Sequence, residues 1–291
     1  MTSRPIVVGT DGSQHALRAV EWAAREARGR GESLLIVSVP WAWPVSTPPG
    51  TFVFAVASEA SDADHAAASM AVGVAGDRVG ELFPGLRVEA EVIPGYPVQV
   101  LLRRAAEASM LVVGSRGAGG FAAMMLGSVS RCISTSSPCP AVIVGGEPLP
   151  VRGEIAVGVR EPERAAAALR FGFEEAALHH SRLLAVHAWG SPSLLENTVQ
   201  RRIDPVTATA IAAEQLHALL AEWAKEYPEV DSRADIVQGH PGRVLSEVSA
   251  RADLVILGRH RVTDSDAPPV GSALHAVLGH AAGPVAIVPD H

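Results

Sequence analysis

Arg4-Pro5-Ile6-Val7-Val8-Gly9-Thr10-Asp11-Gly12-Ser13 opens the chain, and its apolar half returns further on as Gly153-Glu154-Ile155-Ala156-Val157-Gly158. A short apolar run closed by glycine reads as a strand of the kind buried in parallel sheets. Working outward, Trp22 aligns with Phe171, and Leu34-Leu35-Ile36-Val37 with Leu183-Leu184-Ala185-Val186, all at an offset of 149 residues. Beyond Gly95-Tyr96-Pro97, which matches Gly239-His240-Pro241, the offset is 144. Leu111-Val112-Val113-Gly114 then matches Val255-Ile256-Leu257-Gly258, Gly127-Ser128 matches Gly271-Ser272, and Pro140–Val144 matches Pro284–Val288. Order and spacing kept over half a chain mean a tandem duplication. The five extra residues of the first copy fall naturally in the Pro-, Trp- and Thr-rich stretch from Pro40 to about Thr51. The linker composition of Gly145-Gly146-Glu147-Pro148-Leu149-Pro150 divides the chain into domains at 1–146 and 151–291.

In the first copy the strand-like runs are Ile6–Val8, Leu34–Val39, Val88–Ile93, Leu111–Val113 and Ala141–Val144. Between them Leu17, Val20, Ala24 and Ala27 keep helical spacing, as do Ala212, Leu216, Leu219 and Trp223 in the second copy. Five strands alternating with four helices predict an α/β fold, an open parallel Rossmann-like sheet with helices on both faces, built twice. Gly73, Gly76 and Gly80 weaken the second helix of the first copy and blur its boundaries.

Composition sets outer limits. A length of 291 residues exceeds one ordinary core, and the net charge of -7 argues against a broad basic face for nucleic acid. Apolar stretches break well before the roughly 18–20 residues that span a bilayer, and no basic-then-apolar leader is visible. A soluble, cytoplasmic protein is expected, with neither nucleic acid nor membrane as partner. Cys132 and Cys139 make no disulfide framework and read as small core residues.

The chemistry-bearing motif is Gly114-Ser115-Arg116-Gly117, followed after nine residues by Gly127-Ser128, running from the end of the fourth strand to the start of a helix. Glycines there allow close backbone approach and positive φ, the helix start offers unpaired N–H groups, and Ser128 and Ser130 add hydroxyl donors. This reads as a phosphate cradle. Asp11, just past the first strand, faces the same crevice if strands one and four are neighbours, and its carboxylate suits ribose hydroxyls or a phosphate-bound metal. The plainer alternatives are that Asp11 or Ser13 caps the first helix and that Gly12 shapes the turn.

Gly114-x2-Gly117-x9-Gly127-Ser128, the opening Val7–Ser13 and the closing Ser137-Pro138-Cys139-Pro140-Ala141-Val142 together resemble the ATP-binding universal stress proteins over nearly the whole chain. The resemblance implies an adenine nucleotide alpha hydrolase-like fold with sheet order 3-2-1-4-5, and ATP bound with a divalent cation such as Mg. It implies that Asp11 meets the ribose, that Gly114, Gly117, Gly127, Ser128, Val129 and Ser130 line the phosphates, and that backbone near Val39 meets adenine. Gly9, Thr10 and Val113 would border the pocket, with Ser115 and Arg116 inside the motif. It also implies a regulator acting in the stress response through an unidentified protein partner, without an established catalytic reaction.

The second copy departs from this pattern. Arg160 stands at the Asp11 position, and the loop reads Gly258-Arg259-His260-Arg261, with Arg261 in place of the second glycine before Gly271-Ser272. Asp264 and Asp266 inside the loop repel phosphate, whereas Arg160, Arg259 and Arg261 can pair with it. A pocket degenerate for ATP is the favoured reading. Among other features, the histidines of His179-His180 and His275-x4-His280 lack zinc spacing, and no P-loop lysine or Gly-x-Ser-x-Gly elbow occurs. Trp41 and Trp43 form either an aromatic partner patch or a packed loop. No catalytic residue is assigned. Two other readings stay open: a slow ATPase, and a nucleotide-independent scaffold. In the latter the terminal edge strands Ala141–Val144 and Val285–Val288 pair, within the chain or in a homodimer.

Overall fold

The computed structural model describes residues 4–40, 61–117, 126–145, 150–189, 205–259 and 272–290. Trp41 and Trp43 lie outside the described residues, as do the linker positions 146–149. The chain forms two compact units, Met1–Val144 and Gly145–His291.

In the first unit the elements are β1 (Ile6–Gly9), α1 (Gln14–Arg30), β2 (Leu34–Ser38), α2 (Asp62–Leu82), β3 (Val88–Val92), α3 (Pro97–Ala105), β4 (Met110–Gly114), α4 (Ser128–Ser136) and β5 (Ala141–Val144). All pairings between these strands are parallel and give the order β3-β2-β1-β4-β5. The second unit runs β6 (Glu154–Gly158), a 3-10 turn at Pro162–Arg164, α5 (Ala166–Leu178), β7 (Arg182–Trp189), α6 (Pro205–Glu226), β8 (Ser232–Gln238), α7 (Pro241–Val248), β9 (Leu254–Arg259), α8 (Ser272–His280) and β10 (Val285–Pro289). Its order, β8-β7-β6-β9-β10, is the same 3-2-1-4-5 arrangement.

The repeat holds down to strand register. Ile6 pairs with Leu34 and Met110, while Ile155 pairs with Leu183 and Leu254. Leu111 opposite Ala141 becomes Val255 opposite Val285. The central strands are buried throughout, with Ile6, Val7, Val8, Leu111 and Val112 at 0% exposure. The run at 88–93 differs from expectation. β3 is an edge strand with Glu89 and Ala90, on opposite faces, both exposed, and Glu91 pairs with Arg104 of α3 at 2.5 Å. Its Val-Glu-Ala-Glu-Val alternation is that of a half-wetted strand.

Ser13 caps α1, its Oγ accepting from Ala16 N–H at 3.3 Å, and Gly31 ends the helix in the left-handed region at φ 67°. α2 is started by a capping box in which Ser61 and Asp64 bond each other's backbone. The helix runs on through Gly73, Gly76 and Gly80. In the second unit Asp253 accepts from the N–H groups of Arg152, Gly153 and Glu154 at 2.7, 2.6 and 3.2 Å, fixing the start of β6. No described helix is long and apolar enough to cross a membrane.

A side chain at Gly73 or Gly80 would meet nothing within 4 Å. Gly73→Ala and Gly80→Ala are therefore expected to stabilise the protein by about 0.5–1 kcal/mol each, through helix propensity and a less flexible unfolded chain. Thermal denaturation of each variant, read as a rise in Tm, checks this.

Candidate functional site

The carboxyl ends of β2, β1 and β4 open into a cavity of about 490 Å³. Its β4 side is formed by Val113, Gly114, Arg116 and Gly117 together with Gly127, Ser128, Val129 and Ser130 at the start of α4. The β1 side supplies Gly9, Thr10 and Asp11, and the β2 side Val37, Ser38, Val39 and Pro40. Of the first-copy residues picked out in the sequence, all but Ser115 meet in one crevice, although they come from segments up to a hundred or more residues apart.

Close backbone packing explains the motif glycines. A Cβ at Gly114 would lie 2.8 Å from the backbone of His15, so β4 can end there only without a side chain. A Cβ at Gly117 would collide with the Asp11 carboxylate, which places the two halves of the motif in contact. Positive φ, expected of these glycines, is not found. Among the described glycines it belongs to Gly12, Gly31, Gly85, Gly95 and Gly153. Lack of space against backbone, rather than backbone handedness, is what requires glycine at 114, while at 117 the crowding is with the end of the Asp11 side chain.

Asp11 Oδ1 accepts from Ser13 N–H at 3.0 Å, so it shapes the turn while Ser13 does the capping. Thr10 Oγ1 accepts from Gly12 N–H at 3.3 Å. Gly127 gives α4 no side-chain cap, and the first-turn residues Ser128, Val129 and Ser130 border the cavity with the positive end of the helix dipole behind them. Arg116 adds a formal charge. Its Nε is buried with no hydrogen-bond partner among the described residues. A buried guanidinium N–H without an acceptor costs free energy.

Two expectations need correction. Ser115 does not line the cavity. It is 7% exposed and holds the wall from behind, donating its N–H to Val144 O and accepting from Gly127 N–H, both at 2.8 Å. The Ser130 hydroxyl is not a spare donor either. It donates to Gly114 O at 2.7 Å and tethers α4 to the end of β4, because that carbonyl has run out of strand partners.

The family model for the universal stress protein family matches residues 2–145 and again residues 152–289. The chain belongs to that family. One universal stress protein of Mycobacterium tuberculosis is 30% identical over 289 residues, covering 97% of this chain and 96% of the relative. Another from the same organism is 29% identical over 304 residues, covering 98% and 95%. A crystal structure of a universal stress protein from Archaeoglobus fulgidus superposes with a TM-score of 0.67 at 18% identity, covering 98% of this chain and 96% of that one. The tandem arrangement and the α/β fold are thus shared along the full length.

The universal stress protein motif keeps its frame in the second copy with a different lining. Arg160, exposed, pairs with Glu161 at 3.6 Å. Val159 replaces Thr10 and Leu257 replaces Val113, both buried. Gly258 lies opposite Val288, and its strand runs one residue further, with Arg259 opposite Pro289. An added Cβ at Gly158 would meet Leu257 and Leu245 methyls at 2.9 and 3.0 Å, much as one at Gly9 would meet Leu101 and Val113 at 3.0 and 3.4 Å. Arg261, Gly271 and the Ser272 side chain lie outside the described residues.

Sequence reasoning missed Ser38, and also Asp64, Ala67 and Ala68 of α2 and Pro97 and Leu101 of α3, all of which line the cavity. Asp64 was signalled by the Ser61-x-x-Asp64 capping pattern. Its carboxyl is held below the usual range by hydrogen bonds from the Ser61 side chain and backbone, so it stays ionised at neutral pH.

Ser130→Ala removes a buried donor and leaves the Gly114 carbonyl without it. The expected loss is about 1–3 kcal/mol of stability, measured by urea denaturation without any ligand added.

Proposed function

We propose that the first copy binds an adenine nucleotide, ATP with Mg, and that the protein works as a regulatory binding module in the stress response. The observation that carries this reading is one cavity lined together by Asp11, Arg116, Gly117 and the uncapped start of α4 at Gly127 and Ser128. The order of chemistry along the crevice supports it. Donors and positive charge sit at β4, a carboxylate follows at β1, and largely apolar walls close the β2 end. Adjacent strands lie about 4.8 Å apart, so β4 and β2 are roughly 10 Å apart, a span that suits phosphate, ribose and base in turn.

Asp11 is the residue that would accept from the ribose hydroxyls. Asp11 also offers the oxygen ligand that a hard divalent cation prefers and would help hold Mg bound to the phosphates. The Asp11 carboxylate keeps a second reading open, a slow ATPase, which phosphate release from ATP would detect. On the regulatory reading, nucleotide acts by binding two states of the protein unequally, and the output passes to a protein partner or to self-association.

Occupancy on this reading is one nucleotide per chain. The second copy lacks the acidic ribose acceptor, has the larger Leu257 where the first has Val113, and carries Arg261 where the first copy has Gly117.

Titration calorimetry of the full chain tests both parts. Arg116→Ala and Asp11→Ala are each expected to weaken ATP by about 10- to 100-fold, the worth of a charged hydrogen bond, with little change in Tm. Nucleotide released from denatured, ATP-saturated protein is expected at one equivalent. Unchanged affinity in both variants removes the first copy as the site, and two equivalents per chain would show that the second copy binds through other contacts.

A further inference from the structure

The first-copy crevice holds a second polar group that the protein leaves unanswered, at the opposite end from Arg116. Ser38 is the last residue of β2, is 2% exposed, and lines the cavity. Its carbonyl accepts from Ile93 N–H at 2.9 Å, but no described residue hydrogen-bonds its hydroxyl. The neighbouring lining is apolar: Val39, Pro40, Ala68 and Leu101. The hydroxyl is thus a polar group at an otherwise apolar end of the cavity, with no partner among the described residues.

The duplication provides an internal control. The residue at the equivalent place in β7 is His187, at the same 149-residue offset that relates the paired strands. There the ring nitrogen Nδ1 lies 2.9 Å from Val159 O, so the polar group is satisfied inside the protein. One fold therefore accepts either a self-satisfied imidazole or an open hydroxyl at the end of the second strand. An unanswered donor is not something the framework requires.

We infer that Ser38 is a base-selecting residue of the first-copy pocket and donates its hydroxyl proton to a ring nitrogen of a purine. The inference rests on the nucleotide reading and adds to it the group that recognises the base. Position decides against the other parts of a nucleotide. β1, with Asp11, lies between β2 and β4, so the anion-attracting groups at Arg116 and α4 are two strands away. A flat heteroaromatic ring fits apolar walls at the β2 end, and a single donor among them selects a ring that presents an acceptor.

Titration calorimetry on the full chain uses ATP and its deaza analogues lacking N1, N3 or N7, each against wild type, Ser38→Ala, Ser38→Thr and Ser38→His. Wild type is expected to bind one analogue about 3- to 10-fold more weakly than ATP, the range for a neutral hydrogen bond. Ser38→Ala should lose the same factor for ATP and no longer distinguish that analogue. Ser38→Thr, which keeps the hydroxyl, should retain the discrimination, and Ser38→His should bind weakest because its ring enters the cavity. Melting curves confirm that the variants fold. Wild-type affinity for ATP in Ser38→Ala, or losses that add for every analogue, overturns the assignment while leaving nucleotide binding intact. If wild type binds neither ATP nor any analogue, the nucleotide reading falls and this inference with it.

Discussion

Everything in the first-copy crevice depends on one close approach, the end of β4 at Gly114 against the first turn of α1 at His15 and Ala16. A methyl group on Gly114 would meet His15 backbone at 2.8 Å and Ala16 N at 3.0 Å, and backbone cannot swing aside. With the gap closed, the turn that follows β1 sits directly over the loop that follows β4. Asp11 then touches the space beside Gly117. Ser130 fastens the far end of that loop by bonding the carbonyl of the same Gly114. A single glycine thus joins the carboxylate, the loop and the helix start into one site, and its carbonyl and its missing side chain are both in use.

Much of this was legible in the sequence because the duplication compares the chain with itself. The offsets of 149 and 144 residues are the offsets of the strand register, so the repeat determined which strands correspond before any pairing was known. What misled was the face of a strand. Val88–Ile93 looks apolar by its ends, yet Glu89 and Glu91 alternate along it and mark an edge. The glycine motif was legible as a site, but its physical reason was not. Three-dimensional crowding at Gly114 and Gly117 leaves no trace in a one-dimensional pattern that distinguishes it from a need for positive φ.

The lining that sequence reading missed has a common cause. Ser38 sits at the end of an otherwise apolar strand, and a small hydroxyl there looks like core. Leu101 and Ala68 have the composition of packing residues, and they do pack: each is buried, at 4% and 6% exposure. A residue that forms the wall of a crevice is chemically the same as one that fills a core until the opposing surface is known. Charged and glycine-rich positions declare themselves because folding alone gives them little reason to be there, whereas apolar pocket walls have two reasons to exist.

The second copy shows how independent the frame and the lining are. Its strands keep the register and its core keeps its character, with Ile155, Ala156, Val157, Val255 and Ile256 as buried as their counterparts. Between the copies the changes gather at the carboxyl ends of the strands: Thr10 to Val159, Asp11 to Arg160, Ser38 to His187, Val113 to Leu257. Threonine to valine removes a hydroxyl, and valine to leucine adds bulk over Gly158. Histidine for serine turns a polar group back onto the protein's own carbonyl. None of these touches the hydrogen-bonded ladder that holds the sheet. Cohesion in a parallel sheet comes from the middle of the strands and ligand chemistry from their ends, so one copy can lose or exchange its site at little cost to folding.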